Sequence, residues 1–120
     1  MDDKEVLRKA YSNFNARNID EVLALMQADV EWANGMEGGH VFGREAVRAY
    51  WTHQWNVVDP HVEPLAIDLD DSGREIVTVH QVVRDLTGKI LMDRTVWHAY
   101  RMRDGLIQRM DIFEEQPITH

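Results

Sequence analysis

By type and spacing, His98 and Asp111 are the residues of this chain best suited to moving a proton. Both stand in strand-like, mostly apolar runs that meet at Asp104-Gly105. A polar side chain inside a buried strand costs roughly 1 to 3 kcal/mol unless it is hydrogen-bonded, so each needs a partner or a purpose. An imidazole and a carboxylate brought together make a general acid/base pair. The hairpin decides whether they meet. A two-residue type I′ turn at Asp104-Gly105 sets His98 opposite Asp111. A G1 bulge at Gly105 sets His98 opposite Met110 instead, and turns Asp111 outward toward Arg109 or a partner subunit.

His98 shares a strand face with Val96, Tyr100 and Met102, the face that a pocket would use. On the preceding strand, His80 shares that face or opposes it, depending on whether the turn at Gly88 has two or three residues. If it shares the face, His80, His98 and Asn34 form the polar end of an otherwise apolar site. Trp32, Trp55 and Tyr100 supply rings that can stack on a flat ligand, and Met110 supplies an apolar wall. At helical spacing Trp51 and Trp55 also read as ordinary core. The candidate set is therefore His98 and Asp111 for catalysis, with Trp32, Asn34, Trp55, His80, Tyr100 and Met110 for binding. Gln81, Arg84, Asp93 and Arg94 read as a cross-strand ladder.

Other chemistries lack their motifs. The six histidines show no His-Glu-x-x-His or His-x-His spacing, so no metal site is expected. No serine sits in a Gly-x-Ser-x-Gly elbow. The loop Gly35-Met36-Glu37-Gly38-Gly39 has no lysine and no helix start at the spacing of a phosphate cradle, and reads as a rim. Cysteine is absent, which excludes disulfides and thiol catalysis.

The elements that must position these groups fall into two halves. Val6, Leu7, Ala10, Tyr11 and Phe14 recur at helical spacing behind Asp2 and Asp3, predicting a helix over about residues 3 to 16. Asn18 with Glu21 suggests a capped short helix carrying Val22, Leu23, Leu25 and Met26. Val30 to Ala33 reads as a short strand, and a third helix after Gly43 holds Ala46, Val47, Tyr50, Trp51 and Trp55 until Pro60. Beyond His61 the period becomes that of strands. Leu65, Ile67 and Leu69 alternate with polar positions up to the turn at Asp71-Ser72-Gly73. Ile76 to Arg84, Ile90 to Met102 and Leu106 to Phe113 then follow as a meander. The order α-α-β-α-β-β-β-β points to an α+β domain with its helices on one face of a sheet.

The 120 residues suit one domain, and a formal net charge of −8 without a Lys/Arg cluster argues against nucleic acid. No apolar run approaches the roughly 18 residues of a membrane span, so a cytoplasmic protein is expected. Ile76, Val77, Val79, Val82 and Val83 put apolar residues on both sheet faces. Three helices cover one face, which predicts a homodimer through the other.

The element order, the corner Asn15-Ala16-Arg17-Asn18-Ile19-Asp20 and the ending Arg103-Asp104-Gly105-Leu106-Ile107 together resemble the NTF2-like superfamily. Within it, the chain is most similar to the SnoaL-like polyketide cyclase and ketosteroid isomerase-like branch. The resemblance implies a cone in which three N-terminal helices pack on a curved, mostly antiparallel sheet around a deep apolar pocket. It does not by itself imply an activity. Where the isomerases place a carboxylate base this chain has Asn34, and an amide cannot accept a substrate proton. Their neutral acid falls near His98, or at Trp97 if the alignment slips by one, and their helix-1 tyrosine is one residue out of register with Tyr11. The resemblance therefore does not carry steroid isomerisation by the family's route. Cyclases and epoxide hydrolases of the superfamily use a late-strand aspartate, for which Asp111 is the candidate. The function expected is a pocket protein for a small apolar or aromatic molecule, with cofactor-free acid/base chemistry at a carbonyl or enol. The competing expectation is a non-catalytic dimerisation or binding module.

Overall fold

The computed structural model describes residues 1–117. Three helices, α1 (Asp3–Asn15), α2 (Ile19–Leu23) and α3 (Arg44–Val57), pack on one curved, unclosed sheet. Its strands are β1 (Met26–Ala33), β2 (His40–Phe42), β3 (Val58–Leu69), β4 (Glu75–Asp85), β5 (Ile90–Arg103) and β6 (Leu106–Phe113). They lie in the order β2-β1-β6-β5-β4-β3. All pairs are antiparallel except β1 with β6. The α+β architecture expected from the sequence is thus the one observed. Among the described residues no helix is long and apolar enough to cross a membrane.

Helix α1 begins where the Asp2 carboxylate accepts the Glu5 N–H at 2.8 Å, satisfying one of the free amides of the first turn. Its buried stripe is Val6, Leu7, Ala10 and Tyr11. The corner that follows turns on Arg17, at φ 65°. There Asn15 meets both backbone groups of Val62, donating to its carbonyl at 2.8 Å and accepting its N–H at 3.0 Å. Arg17 donates to Pro60 O at 2.8 Å and pairs with Asp59. Strand β3 is a sheet edge, and these contacts cover its unpaired backbone.

Five local expectations change. Met26 ends no helix: it opens β1 opposite Ile107, and the Arg44 guanidinium holds its carbonyl at 2.6 and 3.0 Å. Asn18 does not cap α2 through its side chain, which turns back to Asn13. His40–Phe42 forms an unforeseen strand against Glu31–Ala33, so the order is α-α-β-β-α-β-β-β-β. Pro60 lies inside β3, tolerated because an edge strand has amides that need no partner. Leu65 is the extra residue of a bulge between Pro64 and Ala66, and is left exposed.

The first two hairpins of the meander close on the same five-residue turn, Asp70-Asp71-Ser72-Gly73-Arg74 and Asp85-Leu86-Thr87-Gly88-Lys89. In each, one carboxylate oxygen accepts the N–H and hydroxyl of the Ser or Thr and the N–H of the basic residue, at 2.7 to 3.0 Å. Gly73 (φ 86°) and Gly88 (φ 98°) take the left-handed positions.

Asp104 and Gly105, at φ 52° and 77°, form the third hairpin, a two-residue turn of type I′ character that sets Arg103 opposite Leu106. The register then slips, because Met102 faces Ile107 while Arg101 faces Arg109, leaving Gln108 over. His98 lies opposite Ile112 and Asp111 opposite Ala99. The observed pairing combines the short turn of one expectation with the bulge of the other, displaced to Gln108.

Candidate functional site

The concave side of the sheet and the helices enclose a cavity of about 530 Å³. Its deep walls are built by alternation. On β5, His98 and Tyr100 face inward; on β6, Met110 and Ile112; on β1, Trp32. Helix α1 contributes Tyr11 and Phe14, and α3 contributes Tyr50 and Trp51. Trp32 and Trp51 meet edge to face at 5.3 Å, and Trp32 meets Tyr100 in the same way at 6.1 Å. These rings are held by one another and by the core, so the wall is stiff.

The deepest polar groups form a chain. The Tyr100 hydroxyl donates to the Tyr11 oxygen at 2.9 Å, and the Tyr11 hydroxyl lies 2.7 Å from His98 Nδ1. Each hydroxyl has one proton; with Tyr100 giving its own to Tyr11, Tyr11 gives its own to Nδ1. The imidazole therefore carries its proton on Nε2. Tyr11 and His98 also stack nearly parallel, at 9° and 5.8 Å between centroids. Burial pushes the His98 imidazole down to about 4, and raises both tyrosine hydroxyls above their ordinary range. All three groups are neutral near pH 7. Among the described residues no protein group pairs with His98 Nε2, so its N–H is a neutral donor turned to the cavity.

A second polar cluster lies beyond the cavity's rim, on the outer face of the sheet. His40, at the start of β2, places Nε2 2.9 Å from the Asp111 carboxylate. Arg109 donates to both Asp111 oxygens, at 2.9 and 3.1 Å, and to Glu31 at 2.8 Å. Alternation along β6 sends Met110 and Ile112 inward and turns Asp111 to the other face, where Arg109 and Glu31 lie. Burial alone raises the Asp111 carboxyl, but the hydrogen bonds from Arg109 and His40 outweigh it and keep the acid below its ordinary value. Asp111 is an anion at neutral pH.

Of the sequence candidates, the cavity brings together Trp32, Asn34, His98, Tyr100 and Met110, while Asp111 reaches only its rim, from the outer face of β6. His98 and Asp111 do not pair with each other. Asn34 spends its oxygen on the rim loop, accepting the N–H groups of Met36 and Glu37 at 3.0 and 2.9 Å, and only its amide NH₂ remains for a ligand. His80 is on the opposite sheet face, since it pairs with Thr95 while His98 pairs with Val77 three positions away. There it meets Asp93 at 2.6 Å. Trp55 is not in the cavity wall; it packs between Phe14 and Trp51, under the Arg17 guanidinium at 5.0 Å. Two residues were missed. Tyr11 sits on the apolar stripe of α1, where a hydroxyl needs a partner, and that need was the available signal. His40 gave none, lying in a segment without strand periodicity.

The profile of the SnoaL-like domain family matches residues 7–110. Among solved structures, TerC, co-crystallised with polyporic acid, is 26% identical over 94% of this chain and 91% of its own, with a TM-score of 0.82. An NTF2-like protein of unknown function from Burkholderia pseudomallei is 21% identical over 96% and 92%, with a TM-score of 0.82. A protein with a ketosteroid isomerase-like fold from Catenulispora acidiphila, in complex with trimethylamine, is 13% identical over 91% and 84%, with a TM-score of 0.79. No curated protein matches the chain.

Proposed function

Because the chain belongs to the SnoaL-like domain family, we propose that its cavity takes up a small, flat, largely apolar molecule and holds an oxygen of that molecule against His98 Nε2. The observation that carries this reading is the buried chain from Tyr100 through Tyr11 to His98, which leaves one N–H donor in an aromatic-walled space. A fixed donor in a water-poor site binds a carbonyl or enolate oxygen more strongly as negative charge develops on it. That property suits isomerisation, cyclisation or hydrolysis passing through an enol. The open volume of about 530 Å³ favours this reading over a module filled by its own side chains. TerC's co-crystallisation with polyporic acid, at 26% identity, makes that compound the first probe.

The test is quenching of Trp32 and Trp51 fluorescence by polyporic acid. Wild-type protein is expected to bind saturably, and His98→Leu to bind at least about tenfold more weakly, as loss of a buried hydrogen bond predicts. Equal affinity in the two proteins, or none in either, overturns the reading.

A homodimer through the outer sheet face is also proposed, supported by Trp97 and Phe113, which lie half-buried side by side across β5 and β6. Ile76 and Val82 on that face are already covered within one chain. A monomer mass by light scattering at micromolar concentration removes the dimer.

A further inference from the structure

We propose that Arg94, with the Gln81 amide beside it, binds an acid group of the ligand, so that the cavity takes a flat aromatic acid rather than a neutral molecule. The inference rests on the small-molecule reading above and adds to it the charge and the length of the guest. The ladder expected of Gln81, Arg84, Asp93 and Arg94 is split by the sheet. Gln81 lies opposite Arg94, and both share the concave face with His98, whereas Asp93 turns to the other face and meets His80 at 2.6 Å. Among the described residues Arg94 is the only lysine or arginine that lines the cavity. Along the inward side of β5, His98 is buried and Arg94 is exposed, which puts the guanidinium at the mouth.

The arginine's present partner holds it loosely. Arg94 Nη1 donates to Glu114 Oε1 at 3.1 Å, and 42% of the arginine side chain and 72% of the glutamate stay in water. A pair so exposed is worth little. The remaining N–H groups of Arg94 and the Gln81 amide have no protein partner among the described residues. A ligand that fills the mouth strips water from this guanidinium. A neutral guest leaves the charge to one solvated glutamate, whereas a carboxylate accepts two parallel bonds from the fork and matches its charge. The cost of covering the arginine thus becomes selection for acids. Reach sets the size. Four residues of strand, roughly 13 Å, separate Arg94 from His98. That span suits a biaryl or polycyclic acid with an oxygen at its far end better than a single ring.

The test uses a matched pair of probes, 4′-hydroxybiphenyl-4-carboxylate and its carboxamide, titrated calorimetrically into the protein at neutral pH and low salt. Both carry an oxygen for His98, and only one carries a charge. Wild type is expected to bind the carboxylate at least about tenfold tighter than the carboxamide, a preference that shrinks in high salt. Arg94→Met is expected to lose the preference while binding the carboxamide within about twofold of wild type. Glu114→Gln removes the competing carboxylate and should tighten the acid severalfold. His98→Leu should weaken both probes by the same factor, which separates the two ends of the cavity. Arg101→Met, a guanidinium on the opposite face of β5, is the control for net charge and should leave both affinities unchanged. A wild-type protein that binds the two probes equally, or an Arg94→Met protein that keeps the preference, overturns the proposal and leaves the pocket reading standing. Binding of polyporic acid without binding of the biphenyl acid does the same. A wild-type protein that binds none of the three compounds removes the small-molecule reading, and the acid site with it.

Discussion

His98 inside the cavity and His40 beyond its rim are held by opposite physics. His98 is 7% exposed, bonded among the described residues only to the neutral Tyr11 hydroxyl, and driven down to about 4 by loss of water. His40 is more open, with 21% of its side chain accessible, and leans on a carboxylate that an arginine keeps ionised. The deep ring is a fixed neutral donor whose protonation burial opposes; the rim ring is held in place by a hydrogen bond to a carboxylate. One residue type thereby takes two roles on the two faces of the sheet, because burial and partner set the role.

The sharpest way to break this contrast is acid. The neutral His98 ring is favoured in the folded protein, at about 4 against an ordinary 6.5. Above pH ~6.5 its contribution is therefore complete, and as pH falls from there toward ~4 the unfolded chain takes up a proton that the folded one resists. Roughly 3 kcal/mol is lost across that window. Urea unfolding at pH 7.5 and 4.5 should show wild type losing about 2 to 3 kcal/mol more than His98→Gln, in which this linkage is absent. An equal loss in both proteins would mean that water reaches the ring.

A smaller effect is expected from Tyr11→Phe, which strands His98 Nδ1 and the Tyr100 hydroxyl inside the core at once. Its cost should be roughly 1 to 3 kcal/mol at neutral pH, read from the same unfolding curves. A change below about 0.5 kcal/mol would show that water replaces the lost hydroxyl, and that the deep end is wetter than its walls suggest.

The deep end was also the legible one. Strand alternation by itself puts His98 and Tyr100 on one face, since period 2 survives wherever one face is buried. The helices were equally readable, because α1 and α3 carry continuous apolar stripes. Where legibility failed, the cause was local. A single bulge at Gln108 set Asp111 opposite Ala99 and outward against Arg109, as the bulged register expected of its side, but no side-chain pattern announces which backbone residue is the extra one. Leu65 misled in the same way at the β3 bulge. Strand β2 has three residues, too few for a period to show, and it carried His40 out of view. The turns at Asp71-Ser72-Gly73 and Gly88 are the contrary case, legible from residue type alone, although the carboxylates of Asp70 and Asp85 that tie them are seen only in the structure.

The mildest test concerns the rim. Glu31 meets Arg109 at 2.8 Å, but about a third of each side chain stays in contact with water, where an ion pair is screened and the two long side chains lose rotamer freedom to hold it. Glu31→Gln should therefore cost less than about 1 kcal/mol, and the cost should vanish in high salt. The arginine would keep both bonds to Asp111, so the carboxylate that holds His40 would stay in place. Should this outermost charge cost as much as the buried Tyr11 hydroxyl, the rim would be a rigid network rather than a solvated one, and the division between the two histidines would rest on geometry alone.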